Sequence, residues 1–280
     1  MAVTQVSDLS SLFNTIYEDA LFVARETNLM SQLVENRSGK GWMTRVVPIR
    51  PAIAAVAVAE TEDFNSPTTF GLTTKATLTP AEVIAQVVLT DRDMDTDPHG
   101  AVQDATFELG GSIATKIDED LIALFPSLGS DVGAGAGNPA TLTTISRGVA
   151  VLRNEKAQQY GKIAIVLHPY HWHDIYVEIG VPSTSLPASE FANKALRDYF
   201  VSDMIGANWF VSANISVDAS DDAISGIFVP PAMMLDTRRP MRLETERDAS
   251  ARAYEMNMTA GYAVGVVRSE FGVEYTADAA

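Results

Sequence analysis

The sequence predicts an α+β fold in which an N-terminal arm, a projecting two-stranded ribbon and one long helix precede a compact α/β unit. Three observations carry this. Two runs rich in alanine and β-branched residues, "WMTRVVPIRPAIAAVAVAE" and "ATLTPAEVIAQVVLT", flank the turn-prone "TEDFNSPTTFGLTTK". Behind Asp97-Pro98, the residues Val102, Ala105, Leu109, Ile113, Ile117, Leu121 and Leu124 recur at spacings of three and four. After the glycine-rich "SLGSDVGAGAGNPATLTT", helical and strand patterns alternate over about residues 141 to 235.

The elements follow in order. Leu12, Ile16, Ala20 and Val23 fall on one face of an amphipathic helix, with Glu18, Asp19 and Arg25 free to face water. The ribbon follows the turn "NRSGKG". Pro48, Pro51 and Pro80 each remove a ladder donor, which argues against a central place in a sheet. Such an arm has little core of its own and gains stability by lying against another surface.

Asp91, Asp93, Asp95 and Asp97 alternate in "TDRDMDTDPHG", a spacing that invites a calcium loop. That loop needs glycine at its sixth position and an acid at its twelfth. Counting from Asp91 these are Thr96 and Val102, and counting from Asp93 they are Pro98 and Asp104. The row is read instead as a solvated turn that starts a helix, with Asp97 as cap and Pro98 in the first turn. Running to about Phe125, the helix would be roughly 40 Å long. Gly110-Gly111 in its middle predicts a close neighbour or a bend.

In the α/β unit, "TTISRGVAVLRNEKAQQYG", "YHWHDIYVEIG" and "SEFANKALRDYF" read as helices, and "KIAIVLHP", "NWFVSANI" and "GIFVPP" as strands. The final stretch, from "RLETER" to "FGVEYT", reads as extended chain returning to the first sheet.

Composition excludes several functions. The chain has 280 residues, 36 acidic and 20 basic, for a formal net charge of −16. That surface repels phosphate backbones, so a tight grip on nucleic acid is not expected. There is no cysteine, hence no disulfide and no thiolate chemistry. No signal-peptide layout precedes Arg25 and no apolar run reaches membrane-spanning length, so a reducing cytoplasm is the expected site of synthesis.

The only cluster with metal-ligand character is "HPYHWHD", containing His168, His171, His173 and Asp174. It lacks two histidines four apart on one helix, and Pro169 separates His168 from the others, so a packed strand-to-helix turn is the preferred reading. No G-x-S-x-G elbow is present, and "DVGAGAGN" lacks the strand-turn-helix context of a phosphate loop. Arg238, Arg239, Arg242 and Arg247 alternate with Glu244 and Glu246, which suggests neutralising pairs across an interface. With no catalytic residue, cofactor site or metal site singled out, the chain reads as one built for contacts with copies of itself.

The order of elements resembles the major capsid proteins of tailed phages with the Hong Kong 97-type fold. "GWMTRVVPIRPAIAAVAVAETEDFNSP" through "ATLTPAEVIAQVVLT" is similar to the extended loop, and "DRDMDTDPHGAVQDATFELGGSIATKIDEDLIALF" to the acidic turn and spine helix. "KIAIVLHPYHWHDI" through "GIFVPPAMMLDTRR" resembles the axial domain, and "YEMNMTAGYAVGVVRSEFGVEY" the closing strand of the peripheral domain. The resemblance implies an arm over 1–40, an extended loop and peripheral strands over 41–90, and a spine helix and linker over 91–140. An axial domain over 141–235 and a return strand over 236–280 complete it.

It further implies a non-enzymatic coat subunit. Pentamers and hexamers would form an icosahedral head around double-stranded DNA, assembled in the host cytoplasm with a separate scaffold protein or none, and with portal and decoration proteins as candidate partners. Subunit contacts are expected at Phe13 and Tyr17 on the arm and at Trp42, Arg45, Arg50, Glu60 and Phe64 on the ribbon. Lys40 and Lys75 flank the ribbon, and neither matches a crosslinking position. The alternatives are an encapsulin-like compartment shell and a metal-dependent hydrolase using the histidine cluster.

Overall fold

A computed structural model describes residues 29–50, 53–58, 60, 70–96, 100–180 and 203–279. The expected helix around Leu12–Val23, the cap at Asp97-Pro98 and the helix "SEFANKALRDYF" lie outside these residues, as do Phe13, Tyr17 and Phe64.

The chain enters through a single helical turn, α1 (Met30–Leu33), and the short strand β1 (Glu35–Ser38). The ribbon strands β2 (Arg45–Ile49) and β3 (Thr73–Leu78) pair antiparallel, with a register break at Val47/Pro48 where proline cannot donate. The second apolar run is not one strand. Thr79-Pro80 divides it, and β4 (Ala81–Thr90) leaves the ribbon to join another sheet.

A short helix α2 (Asp91–Thr96) stands where the sequence suggested only a turn. Tertiary contacts hold it: the Asp91 N–H donates to the Arg252 carbonyl (3.0 Å), and its carboxylate takes both arms of the Arg247 guanidinium. The spine helix α3 (Gly100–Ile122) buries Ala105, Leu109, Ile113, Ile117 and Leu121, the stripe that its spacing predicts. It ends three residues earlier than expected, passing into a 3-10 turn at Phe125–Ser127. Pro126 accounts for this, because its ring would meet the Ile122 carbonyl in a continuing helix. A side chain at Gly111 would meet nothing within 4 Å, so the predicted close neighbour is not at that glycine.

The α/β body contains β5 (Ser130–Asp131), α4 (Leu142–Asn154), β6 (Ile163–Leu167), α5 (Pro169–Gly180), β7 (Asp203–Met204), β8 (Ala207–Val211) and β9 (Asp222–Phe228). Thr141 caps α4, its hydroxyl accepting from the Thr144 N–H, and Ile145, Val149 and Leu152 turn into the core. Every residue of β6 is buried, as befits a strand covered on both faces.

Two long strands follow, β10 (Met233–Asp248) and β11 (Ala253–Val266), then β12 (Gly272–Asp278). The four-stranded sheet has the order β1-β10-β11-β4 and packs against α3. The six-stranded sheet has the order β5-β12-β9-β6-β8-β7. The last stretch therefore does not return as a whole to the sheet of β4. β10 and β11 do, but β12 crosses to the other sheet and pairs with β9, because Val273, Tyr275 and Ala277 alternate into its core.

Candidate assembly surface

The ribbon is fastened at its base and free beyond it. On β4, Val83, Ala85, Val87 and Leu89 point toward the main core, and their cross-strand partners Ala260, Met258, Met256 and Tyr254 share that face. By alternation, Gly261, Ala263 and Gly265 of β11 and Met234 and Asp236 of β10 point to the opposite face. There they meet the ribbon: Leu78, Met234, Ala263 and Val267 form a small separate core, flanked by Val47 and Ala76.

Both glycines are needed for this seat. A Cβ on Gly265 would lie 2.5 Å from Leu78 Cδ2, and one on Gly261 would lie 2.7 Å from the Trp42 ring. Trp42 also receives the Arg239 guanidinium at 5.5 Å from its ring centroid, and Arg239 pairs with Glu82 at 3.2 Å. Trp42 is thus partly spent within its own chain, with 42% of its surface still exposed.

Arg45 has an internal role as well. Its guanidinium lies 2.9 Å from Asp236 Oδ1 and donates to the Ser38 carbonyl at 3.0 Å, while Arg238 donates to Asp236 Oδ2 at 2.7 Å. Asp236 is fully buried, so the two arginines supply what water would otherwise give. The Arg45 contact is close but poorly aligned, and leaves Arg45 Nε and Asp236 Oδ1 without a hydrogen-bond partner. The other arginines also neutralise within the chain: Arg242 with Glu244, and Arg247 with Asp91. The pairing that their alternation suggested is present, but it is intramolecular.

Beyond the base the surface changes. Arg50 lies over the Phe70 ring at 4.7 Å, and Glu60 sits in an exposed turn. Met43 (81% exposed), Val46, Ile53, Val56, Val58, Phe70 and Leu72 (63% exposed) all stand in solvent. Elsewhere on the described surface Ile84, Val88, Phe107, Tyr160, Tyr170 and Val177 are comparably bare, but they are divided among several elements. The ribbon gathers seven, and an apolar patch of this kind marks an interaction surface. Of the seven expected contact residues, the structure brings Trp42 and Arg45 to the ribbon base and leaves Arg50 and Glu60 on the free part.

Sequence reasoning missed Leu78, Asp236, Gly261 and Gly265. The glycines did carry a signal: glycine inside a strand otherwise rich in larger residues marks close backbone approach. Asp236, an acid inside β10, carried none.

His168, His171 and Asp174 of the histidine cluster have structural roles, while His173 is exposed. His171 is fully buried, with Nε2 donating to the Ala277 carbonyl (3.0 Å) and Nδ1 accepting from the Ser225 hydroxyl (2.9 Å). Ser225 in turn accepts from the His168 N–H, His168 Nδ1 accepts from the Tyr170 N–H, and Asp174 accepts from the Ala140 N–H. Among the described residues no group of three or more histidine, aspartate or glutamate side chains is placed to hold a metal.

Burial pushes the His171 imidazole below its usual range, against smaller opposing pulls from the Ala277 carbonyl and from Asp174, Asp278 and Asp222. The unfolded chain takes up this proton near pH 6.5 and the folded chain only at lower pH. Stability is therefore full above about pH 6.5 and falls below it, by up to about 1.4 kcal/mol per pH unit for this group. Urea unfolding of dissociated subunits between pH 7.5 and 5 should show this slope, and His171→Gln should flatten it. An unchanged slope in the variant would refute the assignment.

Two sheets, a long helix packed on the one that carries the ribbon seat, and a ribbon with a bare apolar outer part define a Hong Kong 97-type capsid subunit. The chain belongs to the phage capsid protein family, which matches residues 75–275. It is a major capsid protein, a structural component of the phage head.

The solved structures agree in fold. A structure from Mycobacterium phage Che8 superposes with a TM-score of 0.71 at 17% identity, covering 89% of this chain and 90% of that one. The mature capsid of bacteriophage PhiM1 gives 0.66 at 12% identity, covering 89% and 86%. A virus-like particle from Pyrococcus furiosus gives 0.62 at 12% identity, covering 94% and 99%. No curated protein matches the chain. The family match favours a phage capsid over an encapsulin-like compartment.

No helix among the described residues is long and apolar enough to cross a membrane.

Proposed function

We propose that the subunit assembles with its own copies as pentamers and hexamers into an icosahedral head enclosing double-stranded DNA. The observation that carries this reading is the ribbon: a seated base, and an outer part whose apolar side chains stand largely exposed. Covering that surface with a neighbour fits obligate interfaces of about 2,000–5,000 Å². Rings of heterologous contacts are what a closed shell of one repeated subunit needs.

In this reading residues 1–40 form the arm, 41–90 the extended loop and peripheral strands, and 91–140 the spine helix and linker. Residues 141–235 form the axial domain, and 236–280 return to the peripheral one, apart from β12. Arg50, Glu60, Phe64 and the exposed edge of Trp42 contact neighbours, with Phe13 and Tyr17 of the arm, while Arg45 positions the ribbon from inside. The chain catalyses no reaction and requires no cofactor. The net charge of −16 suits a wall that encloses DNA without binding it tightly. Assembly takes place in the host cytoplasm with a separate scaffold or none, and a portal and decoration proteins are the candidate further partners.

Size-exclusion chromatography and electron microscopy of the expressed chain, alone and with candidate scaffold, test this. Megadalton shells are expected. A monomer under every condition, its ribbon already covered by its own body, would overturn the reading.

A further inference from the structure

Two elements of the described chain lack backbone partners and have matching chemistry. The first is the outer edge of β4. Among the described residues β4 ends its sheet, pairing with β11 through ten consecutive registers without a break. The opposite side of the same sheet is guarded. β1 covers β10 only as far as Thr237, and the edge beyond carries Pro240, two register breaks and the charges of Arg239, Arg242, Glu244, Glu246 and Arg247. Proline, bulges and charges are the features that keep an edge from accepting a foreign strand. From Val83 to Thr90, β4 has none of them.

The second element is Ile53–Val58, reading "IAAVAV". All six residues are exposed and none belongs to a ladder. A bare, uncharged, β-branched segment of six residues without proline has the composition that pairs as strand. Left uncovered it is an aggregation hazard.

We propose that Ile53–Val58 adds as a strand to the free edge of β4 in a second copy of this chain. This rests on the reading that the ribbon engages neighbours, and names the receiving surface. Charge selects the pairing. Copies carrying −16 repel, so close backbone contact is favoured where both surfaces are neutral. Arg50 and Glu60 bracket an uncharged run, and Glu82 and Asp91 bracket another of nearly the same length. Both span about 30 Å when extended. Apolar chemistry agrees: Ile84 and Val88 stand exposed on the outward face of β4, and Val56 and Val58 are exposed on the segment. The segment does not cover its own β4, since it lies wholly in solvent within its own chain. Backbone hydrogen bonds would give the affinity and the alternating valines the register.

The absence of cysteine permits a clean test. Subunits carrying Gln86→Cys are co-assembled with subunits carrying Ala54→Cys, Val56→Cys or Val58→Cys and oxidised with diamide. Disulfide-linked dimers are expected for at least one pairing, in either strand direction. Absence of dimers from all three in intact particles would overturn the proposal. So would an intrachain disulfide in the double variant, or a cross-link from Gln86→Cys to residues 1–28 carrying a cysteine.

Two further variants, Ala54→Pro and Ala55→Pro, remove donors at adjacent positions, one on each side of the extended segment, without touching the packed body. At least one of the two should lower particle yield tenfold or more while unfolding of the free subunit is unchanged, and a normal yield in both would overturn the inference. If the unmodified chain itself never assembles, the underlying reading fails instead, so the two failures are distinguishable.

Discussion

Asp118→Ala is expected to destabilise the subunit by about 3 kcal/mol and to loosen the short helix at Met30–Leu33 from the spine helix. Asp118 sits on the spine helix with 1% of its surface exposed. Its Oδ1 accepts from the Met30 N–H at 2.7 Å, and its Oδ2 accepts from the Asn214 amide at 2.9 Å. One carboxylate thus joins the chain entry, the long helix and a loop of the six-stranded body. Hydrogen bonds to a charged group contribute about 1.5–3 kcal/mol each, and truncation leaves the buried Met30 donor without a partner. Met30 itself is fully buried, so the apolar contact resists release and the loss should stop short of complete unfolding.

Asp118→Asn keeps the shape and one acceptor, and its cost should be about half. Urea unfolding gives the energies, and hydrogen exchange at Met30 locates them. Exchange at Met30 unchanged in Asp118→Ala would show that the carboxylate does not anchor Met30.

Legibility in the sequence followed the range of the physics. The spine helix was readable because its signal is local: Ala105 to Leu121 repeat every three or four residues, and each is buried. The helix at Leu142–Asn154 and the buried strand at Ile163–Leu167 were readable for the same reason.

The division of "ATLTPAEVIAQVVLT" at Thr79-Pro80 was only half visible. Proline marked a break, but nothing local says that the two halves serve different sheets. The fate of β12 depends on partners some fifty residues away in β9, and the helix at Asp91–Thr96 on Arg247 and Arg252. The assembly surface divided in the same way. That Trp42 and Arg50 belong to a ribbon was legible, since strand composition is local. That Arg45 turns inward depends on Asp236, nearly two hundred residues on, and no spacing rule connects them.

Leu78→Ala should release the ribbon without unfolding the body. Leu78 is 1% exposed in a core separate from the main one, so its loss falls on the local docking equilibrium. Truncating a buried leucine costs about 2–5 kcal/mol. A seat made of so few side chains does not retain that much reserve. Gly265→Val should act on the same equilibrium from the opposite side, since its Cβ would begin 2.5 Å from Leu78 Cδ2. Overpacking of this kind costs about 1–3 kcal/mol.

The two changes must then couple. In the double variant Leu78→Ala/Gly265→Val, the space vacated by leucine receives the valine, and the loss should be smaller than the sum of the single losses. Hydrogen exchange across Arg45–Ile49 and Thr73–Leu78 reads the docking, and particle yield reads its consequence for assembly. Each single variant should raise exchange in both strands and lower the yield at least tenfold, while the global unfolding midpoint moves little. Strict additivity, or exchange that rises in the six-stranded sheet as much as in the ribbon, would show that this base is part of the main core and that the ribbon has no seat of its own.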